Sequence, residues 1–374
     1  MRSPSEPDAE TDRHHVVVIG ASAGGVETLL RVVAGLPSDL AASVCIVLHL
    51  APGSASALPA ILQRRSRLPC RAAVDGERLR AGEILVAPPD RHLTIEGSHV
   101  SLTVGPRENG HRPSVDALFR TAAAAHDGKV IGVILSGTRD DGTAGLAVIK
   151  AEGGMALVQD PTEAMYPGMP ASAIAGVAVD VVATSDEMAD AIVRAVNDPP
   201  GETVIIRGNP GSGGAPGHPA RAAAPADLSR RGSGGNSGHS DPPTASNGDS
   251  RTSSCPECGG VLTEHSEAGV PQWQCRVGHR YSPESLADAQ GQGVEAALWA
   301  AIRALEERSV LLERLGAQAR ERGLQQSARS FFRRASEARA QAAVVRSALG
   351  QAAATTLQAV ADSEEVESER RGLV

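Results

Sequence analysis

The chain has 374 residues, 41% of them hydrophobic, with 44 acidic against 36 basic side chains and a formal net charge of −8. That balance excludes a basic nucleic-acid footprint, and the length allows two or three domains with at least one sizeable core. Two Trp, two Tyr and three Phe beside 40 Gly and 24 Pro suit small-residue packing in an α/β or all-α protein and oppose a β-sandwich.

Residues 1–15 (MRSPSEPDAETDRHH) are polar, read as a disordered N-terminus and contain no apolar signal segment. No apolar run is long enough to span a bilayer, so the expectation is a cytoplasmic protein without direct membrane insertion. Residues 16–197 then alternate β-branched runs with helical patterns: VVVIG, VETLLRVVAGL, ASVCIVLH, EILVAP, VIGVILSG, MALVQD and VAVDVVA. Such alternation predicts an α/β fold, a doubly wound and mostly parallel sheet covered on both faces. HLTIEGSHVSLTV breaks the rhythm as an antiparallel hairpin, expected at an edge of that sheet. Cys45 and Cys70 stand alone and are expected to be buried thiols.

Residues 198–254 are rich in Gly, Pro, Ser, Ala, Asn and Asp and read as a flexible linker. Residues 255–283 carry Cys255, Cys258, Cys275 and His279 as C-x2-C-x16-C-x3-H, the spacing of a zinc ribbon with two knuckles and a closed structural site. His265 is a rival fourth ligand, although its neighbours TEHSE suggest a solvated turn. Trp273 and Trp299 are expected to pack the ribbon and the helices after it.

Residues 284–350 read as two helices broken at Gly323, forming a hairpin, with a dimerising coil and hence a homodimer as the alternative. Leu298, Ile302, Leu305, Leu312 and Leu315 mark one stripe; Leu324, Ala328, Phe331, Ala335, Ala338, Ala342, Val345 and Leu349 mark a heptad seam on the other. Residues 351–374 form an acidic tail.

Chemistry concentrates in Gly20-Ala21-Ser22-Ala23-Gly24, a G-x-S-x-G turn directly after a strand and before a helix. A glycine-rich turn there can equally cradle a phosphate, so the turn alone does not decide. His49 ends the strand ASVCIVL, and Asp140 and Asp141 follow VIGVILSG by a short turn. In a parallel sheet these carboxyl ends share one edge, where a serine nucleophile, a histidine base and an orienting carboxylate can converge. Either aspartate can instead cap the next helix, and the chain's other histidines, His111 among them, read as surface residues.

GASAGG (20–25), LHLAPG around His49, HRPSVDALF (111–119), LSGTRDDGTAG (135–145) and PGMPASAI (167–174) together resemble the CheB family of chemotaxis protein-glutamate methylesterases. The resemblance implies a catalytic domain of that fold over about residues 16–196, hydrolysing glutamyl methyl esters on methyl-accepting chemotaxis receptors, with deamidation of glutamines as a second activity. It makes Ser22 the nucleophile, His49 the general base and Asp141 the orienting acid, since Asp141 heads the family's D-G-x-x-G. Backbone N–H groups at Ala23 and Thr138 would form the oxyanion hole, with no cofactor needed for catalysis. Family members commonly have threonine and methionine at those two positions, which points to altered activity here.

Only about fifteen polar residues precede Val16, so no fused receiver domain is expected. The alternative is a weakly active or inactive signalling module working through its zinc and helical tail. A small-molecule α/β-hydrolase is opposed by chain order, which here runs serine, histidine, acid.

Overall fold

A computed structural model describes residues 14–49, 56–197 and 253–372, with side chains through residue 350. Most of the expected N-terminal segment, nearly all of the expected linker and the side chains of the acidic tail lie outside the described residues. The chain divides into two compact units, Met1–Cys255 with Gly259–Ser282 and Pro256–Cys258 with Pro283–Val374.

The first unit is built on a seven-stranded sheet. In chain order its strands are β1 (His15–Ala21), β2 (Ala42–Leu48), β3 (Cys70–Ala72), β4 (Ile84–Val86), β7 (Val130–Ile134), β8 (Met155–Gln159) and β9 (Val181–Ala183). They lie in the order β3-β4-β2-β1-β7-β8-β9, and every pairing is parallel. A parallel sheet buries both faces, which is why β1 and β2 read as unbroken apolar runs.

Alternate residues of β1 serve opposite layers. Val17, Ile19 and Ala21 join the core under α1 (Gly25–Gly35), α2 (Leu58–Gln63) and α6 (Met188–Asn197). Val16 and Val18 join the core under α3 (Val115–Ala125), α4 (Thr143–Ala151) and α5 (Gly168–Gly176). The fold is therefore doubly wound.

The expected hairpin forms as β5 (His92–Glu96) and β6 (His99–Thr103), but it is not at the edge of the main sheet. It is a separate two-stranded sheet whose Leu93, Ile95 and Val100 enter the second core with Phe119 of α3. Alternation predicted its pairing; its apolar side needed a cover, and the face of the domain supplies one. Cys45 and Cys70 are buried, and burial pushes their thiols up to about 12 and about 11.

The same unit contains a small antiparallel sheet of β10 (Leu262–Glu267), β11 (Val270–Cys275) and β12 (Arg280–Tyr281). Val270 packs there with Ala144 and Ala147 of α4.

In the second unit α7 (Pro283–Glu321) and α8 (Gln325–Gly372) form an antiparallel hairpin within one chain. Arg339 meets Ser309 and Glu313, and Arg346 meets Glu306, so numbers rise on one helix as they fall on the other. Ala328, Ala335, Ala338 and Ala342 are buried as the heptad spacing predicts, while Leu324 is exposed. On α7 the stripe continues from Leu312 through Gly316 and Ala319, not through exposed Leu315. A Cβ at Gly316 would stand 2.9 Å from the Phe332 ring, so the close approach selects a small residue there. Trp299 is 52% exposed and does not serve as core. α8 runs on to Gly372, beyond the boundary suggested at residue 350.

Candidate active site

Ser22, His49 and Asp141 come from three loops at the carboxyl ends of neighbouring strands β1, β2 and β7. The register of β1 with β2 ends on Ala21 opposite Leu48, which puts the residues that follow, Ser22 and His49, side by side. The His49 N–H donates to the Ala21 carbonyl at 3.2 Å and extends that register by one step.

Two glycines shape the turn. Gly24 caps α1 with φ 70, and a Cβ there would lie 2.9 Å from both the Met165 Cβ and the Ser136 Oγ. Only glycine adopts that conformation freely in so little space. Gly137 passes so close to the nucleophile that a Cβ would sit 2.9 Å from the Ser22 Cβ. The turn bearing Thr138 thus borders Ser22; Thr138 is exposed and Ala23 half-buried.

The polar chain is continuous. The Ser22 hydroxyl lies 3.1 Å from His49 Nδ1, and His49 Nε2 lies 2.7 Å from Asp141 Oδ2. An ionised carboxylate can only accept, so Nε2 carries the proton and Nδ1 is free to accept from the serine hydroxyl. Both side chains are sequestered, with relative exposures of 6% for His49 and 2% for Asp141.

Asp141 also accepts from Val115 N–H at 2.8 Å, Ser114 Oγ at 2.9 Å, Asn109 Nδ2 at 2.8 Å and Asp116 N–H at 3.2 Å. Burial pushes its carboxyl up, but the hydrogen bond and charge of His49, aided by Val115, outweigh that and hold it far below the ordinary carboxylate range. Asp116 moves the other way: burial and the neighbouring Asp141 raise it well above its ordinary value. Two carboxylates that share the Asn109 amide do not both ionise easily.

The motif HRPSVDALF contributes more than its histidine's surface reading suggested. His111 stacks on His49 with ring centroids 3.7 Å apart and planes 9° apart. Burial, then the neighbouring His49, depresses it to about 3, so it stays neutral while it backs the His49 ring. Asn109 and Ser114 likewise escaped sequence reasoning, because both sit in an irregular loop without periodicity. The Asn109-Gly110 turn pair directly before HRPSVD was the available signal. Of the two aspartates after β7, Asp141 meets His49, while Asp140 gives its carbonyl to the Thr143 N–H at the start of α4.

The second cluster predicted from spacing also assembles. The ligand atoms of Cys255, Cys258, Cys275 and His279 all lie within 4.8 Å of one another. His279 Nδ1 is 3.7 Å from Cys255 Sγ and 3.5 Å from Cys275 Sγ. Bond lengths of about 2.0–2.3 Å to nitrogen and sulfur would span such separations, so the donor set fits a soft or borderline metal held tetrahedrally. His265 lies outside the cluster, in β10 opposite Gln272. Among the described residues no helix is long and apolar enough to cross a membrane.

Comparison with known proteins places the first domain in a family. The family model described as CheB methylesterase matches residues 17–192. A putative protein-glutamate methylesterase/protein-glutamine glutaminase of Leptospira interrogans is 38% identical over 182 residues, 48% of this chain and 94% of the relative. A protein-glutamate methylesterase/protein-glutamine glutaminase of Anaeromyxobacter dehalogenans is 41% identical over 184 residues, 49% of this chain but only 54% of the relative. The CheB methylesterase catalytic domain of Thermotoga maritima aligns at a TM-score of 0.47 with 32% identity, over 48% of this chain and 98% of that one. Carrying in addition a Cys/His cluster and a helical pair, the chain belongs to the CheB methylesterase family.

Proposed function

We propose that this chain is a serine hydrolase that removes methyl esters from glutamyl residues of methyl-accepting chemotaxis receptors. The observation that carries the proposal is the unbroken hydrogen-bonded series Ser22–His49–Asp141 at the carboxyl edge of the sheet. A serine hydroxyl needs a base to act near neutral pH, and His49 Nδ1 faces it with the proton already on the other nitrogen.

Ser22 Oγ attacks the ester carbonyl carbon as His49 Nδ1 takes the hydroxyl proton. The Ala23 and Thr138 N–H groups receive the developing oxyanion. The bond to the methoxy oxygen then breaks, that oxygen takes the proton from His49, and methanol leaves a glutamyl ester on Ser22. Water adds next, giving a proton to His49; the bond to Ser22 Oγ breaks, the serine recovers its proton and a glutamate carboxylate is freed. The same steps on a glutamine side chain release ammonia, which is the deamidation named for the relatives.

Throughout, Asp141 holds the imidazole and stabilises its cationic form. Met165 and Tyr166 are exposed beside Gly24, and they give the nucleophile an apolar rim suited to a receptor helix. We assign catalysis to residues 16–197, a structural zinc to Cys255, Cys258, Cys275 and His279, and partner recognition to the helices that follow. Reduced thiolate ligands and a receptor substrate both suit the cytoplasm. A homodimer through α7 and α8 would need surface beyond the seam that their own pairing covers.

The test is methanol release from methylated receptor membranes by the wild type and by Ser22→Ala at matched folding and metal content. Release that vanishes in Ser22→Ala is expected. No release by the wild type on several receptors would overturn the esterase in favour of a binding module.

A further inference from the structure

The small β10–β12 sheet reaches the catalytic acid through one side chain. The Arg280 carbonyl accepts from the Asn109 N–H at 2.8 Å, and the Arg280 N–H faces the Arg107 carbonyl at 3.4 Å. The Ser282 N–H and hydroxyl both donate to Asn109 Oδ1, at 2.7 and 3.0 Å. From the other end of the same amide, Nδ2 donates to Asp141 Oδ1 and to Asp116 Oδ2, each at 2.8 Å. Asn109 and Ser282 are 1% and 0% exposed, so water does not compete.

The chemistry of the neighbours decides which way the amide points. A backbone N–H can only donate, so Ser282 requires the carbonyl oxygen of Asn109. The NH2 group is then left for the two carboxylates, its two hydrogens matching two acceptors. A reversed amide would set an oxygen against Asp141 and an NH2 against an N–H, two unfavourable contacts in a dry site. Ser282 therefore selects the orientation that serves the acid.

The remaining contacts hold the sheet in place. Arg120 of α3 bonds Glu108 at 2.7 Å and faces Glu267 at 3.6 Å, and Glu267 also faces Arg280 at 3.4 Å. Val270 is seated on Ala144 and Ala147 of the helix that starts just after Asp141.

We propose that Asn109 is a positioning residue for Asp141 and that the β10–β12 sheet, through Ser282 and Arg280, holds it there, so that the hydrolytic site is complete only while this sheet is docked. The inference rests on the proposed roles of Ser22, His49 and Asp141. It joins a segment outside the family match to the acid inside it.

The test uses the full chain with Asn109→Gly, which suits the left-handed φ of 54, and Glu267→Arg, which sets three cations together at the docking face. Ser282→Ala keeps the N–H and is the mild control. The first readout needs no turnover: the NMR resonance and pH titration of the His49 Nε2 proton, which faces Asp141 while the ring stacks on His111; Asp116 beside Asp141, and Arg139 and Arg107 acting on His111, complete the charged surroundings, and none of these is changed. The second is kcat, KM and the acid limb of kcat/KM on methylated receptor membranes, with Trp273 fluorescence reporting the sheet.

Loss of one hydrogen bond to a buried charge predicts a kcat lower by about tenfold or more in Asn109→Gly, KM within about twofold, and a shifted resonance and acid limb. Glu267→Arg moves the same quantities the same way by less, and Ser282→Ala least. If Asn109→Gly does not fold, Asn109→Asp replaces it and is expected to act in the same sense. Trp273 reporting a released sheet in Glu267→Arg with an unmoved His49 resonance would overturn the proposal. So would Asn109→Gly with a wild-type resonance and pH profile. A wild type that shows the resonance but releases no methanol would contradict the esterase reading, and the coupling would still be decided by the resonance.

Discussion

The Ser22–His49–Asp141 edge and the Cys/His module solve the same problem, fixing a few polar side chains precisely, by opposite means. At the edge, register does the placing: the β1–β2 pairing puts Ser22 beside His49, and a large aliphatic core on both faces holds the strands. In the module the buried side chains are few, chiefly Cys255, Leu262, Val270, Cys275 and Tyr281, and two of these are themselves ligands. So small a core offsets little of the chain entropy of its own strands; docking on the larger domain contributes, and a coordinated metal would supply the rest. Packing secures one region, and the other carries a Cys/His cluster able to hold a metal, so perturbations should separate them.

The largest separation comes from the nucleophile. Ser22→Ala should lower kcat on the order of 10³-fold or more, with thermal unfolding of the domain unchanged. A residual rate within about tenfold of wild type would show that another group attacks.

Metal removal should act on the module's structure first, and on kcat only through the lost Ser282–Asn109 contact. A chelator, or Cys275→Ser, should release hydrogen-exchange protection in β10 and β11, while β1, β2 and β7 keep theirs. Simultaneous loss in both regions would show that the sheet, too, depends on coordination.

Gly24→Ala sharpens the comparison within the Ser22–His49–Asp141 edge. A left-handed φ and a 2.9 Å approach to Met165 and Ser136 leave no room for the added carbon. We expect a loss on the order of 1–3 kcal/mol in urea unfolding together with reduced kcat. An unchanged unfolding midpoint would refute the steric account of this turn.

The smallest effect concerns pH. His111 is depressed from 6.5 to about 3 in the folded state, so the unfolded chain binds a proton there that the native stack refuses. Its contribution to stability is full above about 6.5 and declines as the pH falls toward 3. In His111→Gln the unfolding midpoint should vary less with pH across that window; an identical slope would remove His111 from the account.

How legible all this was in the sequence depended on what carried each signal. Strand–helix alternation is periodic, and it revealed the parallel sheet, both helical layers and the strand ends that bring Ser22, His49 and Asp141 together. The hairpin β5–β6 was legible as a pair but not in its place, because alternation reports that one side is apolar and not which surface will cover it. On α7 a search for large apolar residues favours Leu315, whereas the seam takes Gly316 because the Phe332 ring needs the space. Asn109 and His111 were hidden for a third reason. Each works from an irregular loop through contacts with residues distant in sequence, Ser282 and His49, and no local pattern encodes such a pairing.

Every step of the proposed reaction depends on Ser22 as the activated nucleophile. That role is tested most directly by treating the wild type and Ser22→Ala with a fluorophosphonate and mapping the adduct by mass spectrometry, alongside methanol release from methylated receptor membranes. One adduct is expected, on the peptide containing Ser22, with methanol release lost in step with labelling. An adduct on another residue, or methanol release that survives full labelling of Ser22, would contradict it.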